Sequence, residues 1–478
     1  MKGASFEKVR PLQEFQFVLL SLFILLSLLY YFFRFQYDLQ TEIPILEYSL
    51  LMLLMPLSLL IWFEGKLCEF NELDKVVFMF FVYNCIFVIL SWYSSGAGEA
   101  LYSIKNYITG FVLYFIASFT LSSKRIWGVW ISILVVVFLV AVIYLLEYFV
   151  TNLMVGDLFS NISARSFFTY TSALDVYARD VMGSANGIAT PWEQGSTGVW
   201  IRLPGPLGYP NITASVIGFG LIFSMSMVML RYYTNYFLMM SGLFISALVV
   251  SGARTAIAAT LVALFVMMVY AVKKKYIPAI FMMQAATFIF AVPLLLILSG
   301  VLDVVALAKI FSWESIKNVL TILFIEKDAI PSFIANFQDY LFFGKGFYSI
   351  TDHVEAARAG VAVIDDGGPL VSIDLHFMQI LTTYGILPSL LLLALLFRAL
   401  LLMQKDMFES SGVLAEKQKN IVALSCTGVV FAGLISTAHS NAVTSPQVLP
   451  VVMLLFGVLS RMHKQPDKVD VNFLVAPH

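Results

Sequence analysis

Charge is what this chain has least of. Aspartate, glutamate, lysine and arginine make up 12% of its 478 residues, against 60% hydrophobic, whereas a soluble domain carries about 25% charged and about 45–50% apolar residues. That balance excludes a soluble globule, a disordered chain and a solvated coiled coil. Neither sign is in surplus, with 29 basic against 30 acidic residues, so nothing draws the chain to nucleic acid or to an acidic partner. Cysteine is scarce too. Cys68, Cys85 and Cys426 are the three present, with no CxxC spacing, which implies neither a disulfide framework nor a zinc site. Nucleotide-binding signatures are missing: there is no GxxxxGK[ST] and no strand-borne GxGxxG. A cleavable leader is not expected either. Lys2, Lys8 and Arg10 precede an apolar run, Phe15–Phe33, that is too long for a signal core, and no small-x-small site follows it.

What the chain does have is long apolar runs, and its mean hydropathy is +0.87. A bilayer core about 30 Å thick needs roughly 20 apolar residues in a helix. On that measure the sequence predicts an all-α, polytopic membrane protein, a single transmembrane domain over 1–478 with about twelve spans. These are Phe15–Phe33, Ile45–Phe63, Val76–Trp92, Tyr107–Leu121, Trp127–Val150, Ile212–Leu230, Tyr236–Val250, Thr255–Val272, Ile277–Leu298, Leu375–Leu402, Ile421–Ala438 and Gln447–Met462. Every short connection on one side carries lysine or arginine, the Lys273–Lys275 run among them. By the positive-inside bias that side is cytoplasmic, with both termini on it. Two outer segments are then too long to be connectors: Thr151–Asn211 and Ser299–Asp374. Within the second, Val301–Ile325 is apolar but broken by Asp303, Lys309, Glu314 and Lys317, the pattern of a helix lying in the membrane interface.

Charges close to hydrocarbon are costly and point to function, and three places on the outer side stand out. Arg202 begins Arg-Leu-Pro-Gly-Pro-Leu-Gly-Tyr-Pro-Asn, a rigid approach to the sixth span that Pro210 or Asn211 is suited to open. Arg254 lies in Ser-Gly-Ala-Arg-Thr-Ala, where two spans turn back on each other with almost no loop. His376 opens the tenth span. Each has a plainer reading as well: a loop arginine beside lipid headgroups, a snorkelling anchor, a helix-end cap. Together they say more. Each stands at the N-terminus of a helix entering from outside, where unsatisfied N–H groups and the positive dipole end favour anions. A guanidinium fork bonds two phosphate oxygens at once, and a neutral imidazole takes up a proton near physiological pH. The reading is a membrane-surface site for a phosphorylated substrate, with a general base.

At these residues the chain resembles a known family. Arg-x-x-Gly followed by Pro-Asn, then Ser-x-x-Arg-Thr-Ala, then Phe342-Phe343-Gly344-Lys345-Gly346-Phe347 and a histidine opening a late span, is similar to the bacterial O-antigen ligase and O-antigen polymerase superfamily. The resemblance runs over Thr151 to Leu402, and the twelve-span layout fits the whole length. It implies a GT-C-like, metal-independent, inverting glycosyltransferase of lipopolysaccharide biosynthesis. Its site would face the periplasm at the inner membrane and take glycans carried on undecaprenyl diphosphate. No cofactor is expected. The acceptor would be a second lipid-linked glycan for a polymerase, or lipid A-core for a ligase; a chain-length regulator protein is a further expected partner. Carried over, Arg202 and Arg254 grip the diphosphate with Asn211 beside them, and His376 activates the acceptor hydroxyl. Phe377 stands where the family often has Asn or Ser, which weakens a ligase assignment more than the transferase class; polymerase is the preferred reading and ligase the close second.

Weaker candidates surround these. Asp374 is a cap or an orienter of His376, and His439, ending the eleventh span, is a second histidine on the outer side. Asp365-Asp366-Gly-Gly fits a turn better than a metal site. The competing class is a lipid-linked oligosaccharide flippase or other transporter, which twelve spans also suit. Against it, the ionisable residues gather at outer helix ends rather than at mid-bilayer.

Overall fold

A computed structural model describes residues 2–30, 32–33, 37, 39, 42–64, 70–95, 108–149, 205–207, 210–273, 386–391, 413–436 and 448–464, with single positions at 278, 287, 289, 291, 292, 394 and 397. Among the described residues there is helix and no strand. Lipid offers the backbone no hydrogen-bond partners, so each segment has to satisfy itself. In chain order the helices are α1 (Lys2–Leu28), α2 (Glu42–Glu64), α3 (Glu72–Ser95), α4 (Thr109–Phe115, continued as a π-helical turn Ile116–Thr120) and α5 (Ser123–Tyr148). Then follow α6 (Pro210–Met229), α7 (Thr234–Val250), α8 (Arg254–Lys273), α9 (Val413–Ser436) and α10 (Leu449–Lys464). Among the described residues, five stretches are long and apolar enough to cross a bilayer: Pro11–Leu28, Glu42–Phe63, Arg125–Tyr148, Asn211–Met229 and Thr255–Lys273. Thr109–Thr120, Thr234–Val250 and Leu449–Met462 are shorter apolar helices. This is an α-helical, membrane-embedded protein. The expected spans Ile277–Leu298 and Leu375–Leu402 lie mostly outside the described residues, as does all of Ser299–Asp374.

The helices alternate in direction, which gives the bundle two ends. The lower end holds Asp74, Arg125, Arg231 and Arg461; the upper end holds Tyr148, Pro210 and Arg254. α6 is the central element. Every residue from Ile212 to Met229 is buried, walled by α5, α7, α8 and α9. In lipid no hydrophobic force drives such packing, so close van der Waals fit carries it, and small residues let backbones approach. A Cβ added at Gly218 would overlap Thr260 of α8, and one at Gly220 would overlap Phe244 of α7 and come within 2.7 Å of Val137 of α5. From α9, a Cβ at Gly428 would stand 2.6 Å from Ile222.

The same device joins α10 to α4. A Cβ on Gly457 would overlap the Tyr114 carbonyl oxygen and lie 2.7 Å from Ala117 Cβ. A carbonyl cannot rotate aside as a side chain does. At Gly110 the nearest obstacles are the flexible Met453 and Leu449 side chains, at 3.1 and 3.3 Å. Gly457→Ala is therefore expected to cost about 1–3 kcal/mol and Gly110→Ala less than about 1 kcal/mol, compared as unfolding midpoints of the detergent-solubilised protein.

At the lower end α3, α4 and α10 meet around one carboxylate. Asn71 and Asp74 cap the start of α3 reciprocally: the Asn71 N–H donates to Asp74 Oδ2 and the Asp74 N–H to Asn71 Oδ1, both at 2.9 Å. Asp74 Oδ1 accepts from Tyr114 (2.8 Å), Ser118 (2.7 Å) and Ser460 (2.7 Å). The Lys464 ammonium lies 2.7 Å from Oδ2, donates to Ser118 Oγ at 2.9 Å and sits 3.7 Å from the Phe119 ring centre. Ser118 and Phe119 belong to the π-helical turn, and present a hydroxyl to Asp74 and a ring to Lys464 respectively. Next along α10, Arg461 Nε donates to the Leu121 carbonyl at 2.9 Å. Asp74 precedes the apolar run that begins at Val76. Burial penalises its charge, yet Lys464, Ser118 and the Asn71 amide more than offset that and hold the carboxyl below its ordinary value of 3.8. Its stabilising contribution is thus whole at neutral pH and is lost as pH falls through the lowered value. Acidification down to about pH 4 is expected to leave this part of the stability intact, which a pH series of unfolding midpoints checks against Asp74→Asn.

Candidate functional site

Two helices begin side by side at the upper end. Pro210 opens α6, as its preset φ and missing N–H favour at a first helical position. Arg254 opens α8 after a turn too short to be a loop. That turn rests on Ser251 and Gly252. Gly252 has φ +61°, a left-handed conformation that glycine enters without steric cost. The buried Ser251 hydroxyl donates to the Leu248 carbonyl at 2.6 Å and accepts from the Ala253 N–H at 3.2 Å.

The depth of the two helix heads follows from one contact. Gly218 faces Thr260. With a rise of 1.5 Å per residue, Gly218 is about 12 Å below Pro210 and Thr260 about 9 Å below Arg254. The heads of α6 and α8 therefore lie within about 3 Å of the same level. Asn211 sits in the first turn of α6, half-buried, seven residues before Gly218 and so on the side turned toward α8. Ser215 shares that side one turn deeper. Its hydroxyl is buried and makes no hydrogen bond, whereas Ser224, Ser226, Ser241 and Ser425 all donate to their own helix carbonyls. A free buried hydroxyl is expensive.

The opposite side of α6 meets α5 and the turn that precedes Pro210. Gly205, Pro206 and Leu207 are buried, and Gly205 has φ +69°. A Cβ there would lie 2.5 Å from Thr213 and 2.8 Å from Tyr144, so both the conformation and the space require glycine. The Pro206 carbonyl accepts from the Phe32 N–H at 3.3 Å, tying the turn to the chain just past α1. One turn above Tyr144 stands Glu147, with its residue 0% exposed.

Of the expected site residues, Arg202, Asp374, His376 and His439 lie outside the described residues. Arg254 is described through its backbone, at the head of α8, and Asn211 through backbone and burial. What the geometry brings together is the α6 head with Asn211 and the α8 head with Arg254, flanked by the glycine turn three residues after Arg202. Reading the sequence for charges at span boundaries passed over Glu147, a single acid inside an otherwise uncharged run from Ile126 to Val150, and over Ser215, whose hydroxyl looks like any other serine in a span. The signal for Glu147 was its solitude. Compared with known proteins, the chain matches no family model, no curated protein and no solved structure.

Proposed function

We propose that this protein is an inner-membrane glycosyltransferase that polymerises undecaprenyl-diphosphate-linked repeat units of O-antigen or a related surface polysaccharide. The observation that carries the reading is the pair of helix heads, α6 and α8, at one level of one end of the bundle, each preceded by an arginine-bearing motif. Their N–H groups and dipoles favour an anion there. A lipid diphosphate suits such a place, since its isoprenoid remains in the bilayer while its phosphates stand at the surface. In this reading the upper end faces the periplasm and both termini are cytoplasmic.

The chemistry is inverting transfer. The bond from the donor's anomeric carbon to the diphosphate oxygen breaks, and the leaving diphosphate gains charge that Arg202, Arg254 and the helix heads stabilise as it grows. The acceptor hydroxyl attacks from the opposite face while His376 takes its proton. The energy is stored in the donor, and the residues named need no metal.

The test is purified protein in lipid nanodiscs with a defined undecaprenyl-diphosphate repeat unit. Longer lipid-linked glycans formed without any other acceptor are the expected result. Product that appears only when lipid A-core is added assigns a ligase instead. Movement of the lipid across the bilayer without new glycosidic bonds assigns a flippase.

A further inference from the structure

The turn that joins α6 to α7 at the lower end is strained. α6 closes with the paired hydrogen bonds of a Schellman motif: the Tyr232 N–H donates to the Met227 carbonyl at 2.9 Å and the Arg231 N–H to the Val228 carbonyl at 3.0 Å. The motif needs a left-handed residue just past the helix, where glycine is the usual choice. Gly252 and Gly205 fill left-handed positions elsewhere in this chain. Here the residue is Arg231, at φ +54°, and Tyr233 follows at φ +45°. A side chain in that conformation carries a steric cost that glycine avoids, and such strain persists where the side chain serves a purpose. Arg231 is exposed. It lies 21 positions after Pro210, about 31 Å of helical rise against a hydrocarbon core of about 30 Å, which sets it at headgroup depth.

Two more cations end at this level. Lys417 of α9 donates to the Arg231 carbonyl at 2.9 Å, so its ammonium lies at the turn with two further N–H groups to give. Lys273 closes α8 and is exposed. Its depth follows from Gly428 of α9, which abuts both Ile222 of α6 and Met267 of α8. Arg231 is nine positions past Ile222 and Lys273 six past Met267, so the two differ in depth by about 4–5 Å. Among the described residues none of the three cations has an acidic partner. The acids of the lower end whose side chains are described are matched elsewhere: Glu14 with Arg125, Glu72 with Lys75 and Asp74 with Lys464. The C-terminal ends of α6 and α8 bring about half a negative charge each, which three full positive charges exceed. Tyr233 and Tyr236, 65% and 70% exposed, flank the turn as phenols do at headgroup level.

We propose that Arg231, Lys417 and Lys273 form a site for the headgroup of an anionic phospholipid, which ties the α6–α7 turn to α8 and α9. Depth and charge select the partner. Phosphate oxygens accept from a guanidinium and an ammonium together, and the acyl chains find the apolar flank of α7, where Met239 is exposed. A zwitterionic lipid would bring an ammonium of its own to a place already positive. The site is independent of the transferase reaction. The experiment compares unfolding midpoints of the full-length protein in nanodiscs of phosphatidylcholine and in nanodiscs of phosphatidylcholine and phosphatidylglycerol in equal parts. The unaltered protein should gain about 2–4 °C from the anionic lipid. Arg231→Gly separates strain from binding by sign. It relieves the left-handed strain, although glycine's greater freedom in the unfolded chain takes back part of that, so its midpoint in phosphatidylcholine should rise by about 1–2 °C. Its gain from phosphatidylglycerol should drop to less than half. Lys417→Gln keeps a donor for the Arg231 carbonyl and should lose the gain likewise, whereas Lys75→Gln, which removes a cation of the lower end outside the site, should keep it. Native mass spectrometry gives a second readout, in which affinity for phosphatidylglycerol should fall about fivefold for each of the three cations removed. No gain in the unaltered protein, a full gain in Arg231→Gly, or equal losses in Lys75→Gln and Lys417→Gln overturn the site. A lower midpoint of Arg231→Gly in phosphatidylcholine overturns the strain on which it rests.

Discussion

Asp74→Ala is expected to destabilise the protein by about 3–5 kcal/mol, the range for removing one partner of a buried ion pair. The size follows from what stays behind. The Lys464 side chain is 8% exposed, so its ammonium would keep Ser118 and the Phe119 ring as neighbours but lose its countercharge. Tyr114, Ser118 and Ser460, which all donate to Asp74 Oδ1, would each lose an acceptor inside the bundle, where water does not replace it. Lys464→Met removes the cation but leaves the carboxylate with three hydroxyl donors and the Asn71 amide, so it should cost less. The pair D74L/K464M exchanges both charges for apolar groups and should fall within about 1–2 kcal/mol of the unaltered protein, since well-packed hydrophobic replacements of buried pairs are often neutral. Equilibrium unfolding in mixed detergent micelles measures all three. A loss below about 1 kcal/mol for Asp74→Ala would mean that the network behaves as an exposed surface bridge does.

His376→Ala is expected to reduce turnover of a lipid-diphosphate donor by about 10²–10⁴-fold, the span that a general base contributes. Arg254→Lys, which keeps the charge but not the planar fork, is expected to cause a loss of comparable severity if both arms of the guanidinium are used. The two variants separate binding from chemistry. The histidine acts on the acceptor's proton, so its loss should fall on kcat with donor KM little changed. The arginine holds the donor in the ground state and the leaving group in the transition state, so both parameters should suffer. Single-turnover measurements with saturating donor distinguish them. Near-normal activity of Arg254→Lys removes the bidentate contact from the reading, and a loss below tenfold for His376→Ala leaves the imidazole with a capping role.

Apolar runs marked the helices well where the run and the helix coincide. The expected Thr255–Val272 is observed as Arg254–Lys273, and Pro210 opens α6 as its position suggested. The boundaries moved where charged residues continue a helix past its apolar part. The span expected from Ile421 begins at Val413, because Lys417 lies along the lower rim and donates to the Arg231 carbonyl at 2.9 Å. The span expected from Val76 begins at Glu72, because Asn71 and Asp74 cap each other there. The first run, expected from Phe15, is part of a helix that starts at Lys2 and accommodates Pro11. The π-helical turn Ile116–Thr120 was not legible at all. It accompanies hydroxyls of two helices, Tyr114 and Ser118 of α4 with its continuation and Ser460 of α10, converging on a carboxylate of a third, a relation that no local pattern encodes. The same holds for the site. Arginines at helix heads can be read along a chain, but the level shared by α6 and α8 rests on the contact of Gly218 with Thr260, 42 positions apart.

The enclosure of α6 has a consequence for how the protein is made. A helix that touches no lipid in the finished molecule leaves the translocon before most of its surroundings exist. α7 and α8 follow at once, but α9, whose Gly428 closes against Ile222 and Met267, is synthesised roughly 200 residues later, which at about 5–20 residues per second is a delay of tens of seconds. During that interval one flank of α6 faces acyl chains, or a holding factor, and its close-packing glycines and free serine hydroxyl have nothing to meet. The enclosure of α6 is therefore expected to be completed only when α9 inserts, and ribosome-stalled chains that stop short of Val413 should remain crosslinkable from α6 to lipid or insertase.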